Sequence, residues 1–350
     1  MTTNSLTDRR RLWDDLAALP SWTGAGVALL VLIVVTTIMN PAFRSPTNLV
    51  NILNQNAVVG IIGVGMTLVI ILAGIDLAVG SLLALAGGLG ILTLNALLGM
   101  EGVSEVTAVL GAMVVMLAVG AAAGALNGTL IAFGKVAPFI ATLGGLVAYR
   151  SLAVYYAGGG QFFSQGSDLF AALGQGLPIP GTNIGRPGGR VIPFEIPYTV
   201  MVWCVVAVVG YVILNRTRLG RHIFAVGANE RAARYSAVPV ARIKLYTYTL
   251  IGLAAGVAAI MSAARYTSVN SSSTGLLIEL EVIAAVVIGG TRMEGGAGSI
   301  AGTVIGVLLI GVIKNMMVML SVDSHLHGLV MGVIIVLAVL AQQLGRWRTA

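Results

Sequence analysis

Ten stretches of this chain are strongly apolar: about 24–40, 54–73, 81–98, 106–130, 138–156, 196–214, 245–264, 277–290, 299–318 and 326–344. A helix needs roughly 17–25 apolar residues to cross the hydrocarbon of a bilayer, and in lipid its backbone must satisfy its own hydrogen bonds. Only the eighth is short, and it reads as a broken or re-entrant segment. Charged residues make up 9% of the chain, against about 25% in soluble domains. The expected fold is therefore an all-α integral membrane protein with about ten transmembrane helices over 24–344, between a polar tail at 1–23 and a short one at 345–350. The 46 glycines suit close helix packing, and they recur four apart at Gly120-Gly124-Gly128, Gly252-Gly256, Gly302-Gly306 and Gly328-Gly332.

Orientation follows from charge. The hydrophilic block 215–244 carries seven of the twenty basic residues and one acid, Glu230. Lysine and arginine are retained on the cytoplasmic side. Arg9, Arg10 and Arg11 hold the N-terminus inside, and the first apolar run ends in Ile-Met-Asn-Pro with no small-residue cleavage site, so it reads as a retained helix rather than a removed signal. Ten crossings return the C-terminus inside, where Arg346 and Arg348 lie. On that map fourteen basic residues are cytoplasmic and four (Arg44, Arg186, Arg190, Arg265) are external, while Arg150 and Lys314 fall within or near spans. The net charge of +7 is explained by this topology and not by nucleic acid. The one long external loop, 157–197, is rich in Gly and Pro, with a short helix expected at 167–173 capped by Ser167. It reads either as part of an external docking surface or as a spacer.

Catalytic chemistry finds no support. The nearest approach to a phosphate-binding motif, Gly134-Lys135, lacks the required spacing, so any ATP would be hydrolysed by another chain. Asp323, His325 and His327 form the only cluster resembling a metal site, and they read as solvated loop residues; no metal site is expected. The lone Cys204 cannot form an intrachain disulfide. Ionisable residues within apolar surroundings are costly and usually face a cavity or a partner. Asp76 and Glu279 are candidates for a pathway or gate, with helix capping as the plain alternative. Asn54, Asn56, Asn95 and Asn127 offer hydrogen bonds to a passing polyol or, equally, between helices. Residues 68–87 and 283–303 match in outline, each a helix, a small pair, a short charged turn and a second helix. They suggest two related halves of the kind that build transporter pathways.

Three stretches then resemble one family, the permease subunits of bacterial monosaccharide ABC importers: GMTLVIILAGIDLAVGSLLALAG (65–87), LGRHIFAVGANERAARYSAVPVARIK (219–244) and LLIELEVIAAVVIGGTRMEGGAGSIAGTVIG (276–306). Ala78 stands where the family usually has Ser, and Arg292 and Glu294 are unusual in their turn. The resemblance covers about 45–344. It implies a type II importer-like permease in the bacterial inner membrane, working as a homodimer with a cytoplasmic ATP-binding subunit and a periplasmic sugar-binding protein. This chain would bind no cofactor; ATP and Mg²⁺ would be used by the partner ATPase. Gly220, Arg221, Gly227, Asn229, Glu230, Ala232, Ala233 and Arg234 would then form the ATPase-coupling segment. Its helix would run from about Asn229 to Ser236, capped by Asn229 and stopped by Pro239, with the alanines seated in a groove on the ATPase. The favoured cargo is a ribose-like pentose. Three alternatives remain open at this point: an ion-coupled secondary transporter, a membrane enzyme, or an ABC permease for a nucleoside, inositol or furanosyl signal.

Overall fold

The computed structural model describes residues 22–185, 191–323, 325–326, 328–330, 332–334 and 336. The N-terminal arginines, Arg186, Arg190, His327, the C-terminal tail and most of the tenth apolar run lie outside these. The chain opens with α1 (Thr23–Met39), a 3-10 turn at Pro41–Arg44, α2 (Pro46–Ile71), α3 (Val79–Leu98), α4 (Glu105–Ala132) and α5 (Pro138–Tyr156). Next come β1 (Gln161–Phe163), α6 (Asp168–Leu173), β2 (Gly176–Gly185) and β3 (Val191–Pro197). The second half holds α7 (Tyr198–Arg216), α8 (Arg218–Ala228), α9 (Glu230–Tyr235), α10 (Val240–Tyr266), β4 (Ser268–Asn270), α11 (Ile278–Ile288) and α12 (Ile300–Met319).

Among the described residues seven helices, α2, α3, α4, α5, α7, α10 and α12, are long and apolar enough to cross a membrane, and α1 adds a shorter apolar helix. Their starts are written locally. Ser45, Ser104 and Ser299 each accept a hydrogen bond from the amide three residues on, capping α2, α4 and α12. The polar residues Thr47, Asn48 and Asn51 precede the apolar run but sit inside α2, which is why that helix starts well before 54. Asn48 uses its place there to exchange amide hydrogen bonds with Asn315 of α12, at 3.1 and 2.8 Å.

Two helices make the centre. The apolar stretch of α2 is 83% buried and that of α10 is 78%, against 28% for α5 and α7. The outer helices turn residues such as Val114, Ile140, Val147, Val205 and Val208 outward, as lipid-facing helices do. The tightest seam joins α4 to α10. A Cβ on Gly252 would stand 2.2 Å from the Gly120 carbonyl oxygen and 2.8 Å from Gly124 Cα, so no side chain fits between the two backbones. The Gly302 and Gly306 pair plays the same part against Gly289 and Ala285.

The 157–197 loop is more ordered than its Gly and Pro content suggests. β1 pairs antiparallel with β4, and β2 with β3. The short α6 forms as expected, with Ser167 Oγ accepting from Phe170 N, and Glu105 fastens it to the start of α4 by accepting from Ser167 Oγ and Leu169 N. These strands close one end of the bundle, and α8 and α9 lie at the other.

Between the two ends, helical structure is interrupted twice. α2 stops at Ile71, Ala73 takes a left-handed φ of 61°, and 72–78 runs non-helically until α3 begins. On the opposite side 268–277 descends from β4, with Gly275 and Leu277 at φ 71° and 61°, before α11 begins. α11 has eleven residues, about 16 Å of helix, roughly half the hydrocarbon thickness. The eighth apolar run is therefore a half-helix, and as a helix it does not cross alone.

Candidate functional site

The two interruptions meet. Gly80 at the start of α3 and Gly275 are pressed backbone to backbone, a Cβ on Gly80 lying 2.1 Å from the Gly275 oxygen. Irregular backbone at membrane depth is stable only where it is buried and its polar groups find partners, and here both segments are served by side chains. Tyr248 of α10 donates its hydroxyl to Ile75 O at 3.1 Å. Asp76 Oδ1 accepts from Ala78 N at 2.8 Å. Arg150 of α5 sends Nη1 to the carbonyls of Ser271 at 2.9 Å and Thr274 at 2.8 Å. Tyr248 is the ninth residue of α10, about 12 Å from that helix's start, so the junction lies deep in the bundle.

Beside the junction is a cavity of about 180 Å³, lined by Ser81, Arg150, Ser272, Glu279, Leu146 and Leu277, among others. It pairs hydroxyls and opposite charges with an apolar wall, the mixture that a polyhydroxylated solute uses. Glu279 is therefore at a cavity, in the first turn of the half-helix α11 and buried. Asp76 lies one short step away along the chain, fully enclosed and spent on a turn hydrogen bond. Asn127 belongs to the same inner cluster; its Oδ1 is 3.1 Å from the Tyr149 hydroxyl, and its Nδ2 is buried without a partner.

Of the other three asparagines, Asn56 and Asn95 serve the fold through their side chains. Asn56 Nδ2 donates back to Ile52 O and packs against Gly311. Asn95 pins the strand end to α3 by donating to Phe163 O and accepting from Gln165 N. Asn54 gives its backbone oxygen to Arg265 Nη1 at 2.8 Å, and its side-chain oxygen is buried without a partner. Arg150, Ser81 and Ser272 are the cavity residues that the sequence reading did not place in the pathway. The signal for Arg150 was visible, since it is a lone cation inside an apolar run. Lys314, the other such cation, pairs with Glu281 of the half-helix.

The second constellation is the basic end. α8 lays Ile223, Val226 and Gly227 inward and its arginines outward, an amphipathic helix on the surface of the bundle. α9 follows, with Asn229 Oδ1 accepting from Ala232 N at 3.0 Å as its N-cap. The helix ends at Ser236, with Ala237 at φ 59°. Pro239 thus opens α10 rather than stopping α9. Ala233 is turned into the chain's own core, whereas Arg231, Ala232 and Arg234 are exposed and Tyr235 is 92% exposed. An alanine-lined seat on a partner therefore does not include Ala233, and Tyr235 joins the free face in its place. Gly220 sits where a Cβ would meet the Leu214 oxygen at 2.0 Å, at the α7–α8 corner that Thr217 caps. Arg221 is exposed.

Glu230 fastens α9 to the foot of α10. It accepts from Lys244 Nζ at 2.8 Å and from Arg234 Nη2 at 3.0 Å. The Lys244 hydrogen bond, then its charge and Arg234, hold the carboxyl below its ordinary value of 4.5. A carboxylate lowered by folding stabilises above its unfolded pKa and ceases to as pH falls through the folded one. Hydrogen exchange over 230–244 is expected to speed up in Glu230→Gln at pH 7. The mutant and wild type should converge as the pH falls from the ordinary carboxylate range through the lowered folded-state value. An exposed pair of this kind is worth about 0.5 kcal/mol, so the change is a few-fold and local.

The basic end touches the first interruption and the turn after α11. The turn after α11 inserts Gly295 and Gly296 between α8 and α2: Gly296 N donates to Ile71 O at 2.8 Å, and a Cβ on Gly227 would lie 1.7 Å from that same oxygen. Thr67 and Thr303 join hydroxyls at 2.5 Å just above. The end of α8 thus rests on the stop of α2 and on the α11–α12 turn together.

Comparison with known proteins bears on this geometry. Residues 48–339 match the family described as branched-chain amino acid transport system/permease component. The chain is 42% identical over 317 residues to a ribose import permease protein of Escherichia coli strain K12, covering 90% of this chain and 91% of that one. It is 38% identical over 337 residues to a ribose import permease protein of Bacillus subtilis strain 168, covering 95% and 96%. To a xylose transport system permease protein of Escherichia coli strain K12 it is 32% identical over 358 residues, covering 89% and 88%. No solved structure matches.

Proposed function

Because the chain belongs to the branched-chain amino acid transport system/permease component family, we propose that it is the membrane-spanning subunit of an ATP-driven importer that passes a ribose-like monosaccharide to the cytoplasm. The observation that carries this reading is the near full-length likeness to ribose import permeases. The cavity of serines, Arg150 and Glu279 at the meeting of the two interruptions suits a small polyol.

In this reading the basic end faces the cytoplasm of the inner membrane and receives a separate ATP-binding subunit, in which ATP and Mg²⁺ act. The exposed face of α9, with Arg231, Ala232, Arg234 and Tyr235, is the contact; an arginine and tyrosine surface is what protein partners grip most strongly. A push on α8 and α9 is delivered through Gly227 and Gly296 to the stop of α2 and the α11–α12 turn, from which 72–78 leads to Ser81 and α11 leads back to Glu279 at the cavity. A second copy of the permease completes the channel, and a periplasmic sugar-binding protein loads the strand end. ATP binding then shifts the population between outward- and inward-open forms through its different affinity for each. A loosely binding cavity serves this cycle better than a tight one, since specificity resides in the soluble protein that delivers the sugar.

The test is reconstitution. Permease, ATPase chain and binding protein are placed in liposomes, and radiolabelled ribose uptake is followed with xylose, galactose and inositol as competitors. Uptake is expected to need all three proteins and ATP. Uptake by the permease alone that survives ATP depletion and collapses with an uncoupler would instead mark an ion-coupled carrier.

A further inference from the structure

Next to α9, at the basic end, is a second and larger hollow, of whose lining only Arg234 belongs to the proposed ATPase contact. It has a volume of about 980 Å³ and lies between the α4–α5 turn and the start of α10. Lys135, Arg234, Arg242 and Lys244 line it, with Glu230 as the one acid, so it carries a surplus of three positive charges. Arg234 and Lys244 are engaged with Glu230. Lys135 and Arg242 are exposed and have no ion-pair partner among the described residues. Lys135 is held out on a turn at φ 54°, which Gly134 N and Val136 N close by bonding to Thr129 O and Leu130 O.

The rim of the hollow decides its occupant. Phe133 in its wall is 58% exposed, and the residues that follow along α5, Phe139, Ile140 and Leu143, are all exposed apolar side chains. Leu126 and Leu130 continue the apolar surface up α4. A cationic hollow thus opens at the foot of a lipid-facing stripe, with phenylalanines where hydrocarbon gives way to headgroups. A soluble acidic partner would satisfy the cations and leave this stripe without a use. We infer that the hollow is a binding site for an anionic phospholipid, whose phosphate lies against Lys135 and Arg242 and whose acyl chains run along Phe139, Ile140 and Leu143. Basic hollows between membrane helices near a charged leaflet suit such headgroups, each cation adding a share of the affinity.

The experiment uses the purified full-length permease alone in detergent, titrated with phosphatidylglycerol or phosphatidylcholine and read by native mass spectrometry. Wild type is expected to retain phosphatidylglycerol preferentially. In the Lys135→Gln, Arg242→Gln double variant that preference should fall about thirtyfold, with an unchanged melting temperature, whereas Lys135→Arg with Arg242→Lys should keep it. Equal retention of the two lipids by wild type, or an undiminished preference in the double glutamine variant, overturns the site. Displacement of the lipid by millimolar inorganic phosphate overturns the lipid assignment in favour of a free-anion site. Loss of ATPase attachment in the double glutamine variant, with lipid retention intact, gives the hollow to the protein partner and overturns it as well.

Discussion

Gly227→Ala is expected to abolish most ATP-dependent uptake while leaving the protein folded and inserted. The added methyl would stand 1.7 Å from the Ile71 oxygen and 2.8 Å from Gly296 N, and both are backbone atoms that no rotamer can move aside. The end of α8 must therefore lift from the stop of α2, breaking the three-way contact through which the basic end reaches the cavity. Overpacking of this kind costs about 1–3 kcal/mol. Charged to one of two conformations and not the other, it changes their ratio by about five- to a hundred-and-fiftyfold. Uptake in the reconstituted system should fall by a factor in that range, with faster hydrogen exchange at residues 295–298. Uptake within twofold of wild type would show that the contact transmits nothing.

The largest effect on stability is expected at the α4–α10 seam. Gly252→Val puts a branched side chain where a Cβ alone would be 2.2 Å from the Gly120 oxygen and 2.8 Å from Gly124 Cα. The two helices must separate along three turns, and membrane helices have little besides close packing to hold them. A loss of about 3 kcal/mol is expected, read as a lower midpoint in a denaturant titration of the detergent-solubilised protein. Gly332→Val is the matched control, because none of the described residues lies within 4 Å of a Cβ there. A small residue repeated at helical spacing is thus an interface in one place and an ordinary surface in another. If both substitutions leave the midpoint unchanged, the seam is not what holds the bundle.

That contrast shows what a sequence of this kind discloses. The helices were legible because lipid imposes one rule on the whole run, and the eighth run was visibly too short for a full span. The gap between 73 and 81 was legible too, but as a turn; that it is folded into the interior depends on Tyr248 reaching Ile75 from 173 positions away. The strands β1 and β4 pair segments separated by α6, α7 and α10, and nothing in a Gly- and Pro-rich loop announces a partner so remote. Arg150 stood out as a cation in an apolar run, yet its task of holding the Ser271 and Thr274 carbonyls is a property of the tertiary fold. Of the polar candidates, Asp76, Asn127 and Glu279 gather at or near the junction, while Asn56 and Asn95 went to packing and to a strand tether. Side-chain type alone cannot separate those two fates, because an amide serves a helix neighbour as readily as a solute. In the segment 229–236, the family resemblance and a capping Asn229 told of a helix, but only burial told that Ala233 faces home.

The two non-helical segments have a mechanical consequence. A helix resists bending through its ladder of backbone bonds; at 72–78 that ladder gives way to bonds from Tyr248 and Asp76, and at 271–277 to the Arg150 bonds and local turn bonds such as Thr274 N to Asn270 O. Regular helix thus gives way to local, irregular bonding at the level of the cavity. In the proposed cycle, flexing there would exchange these local bonds and leave the long helices unbroken.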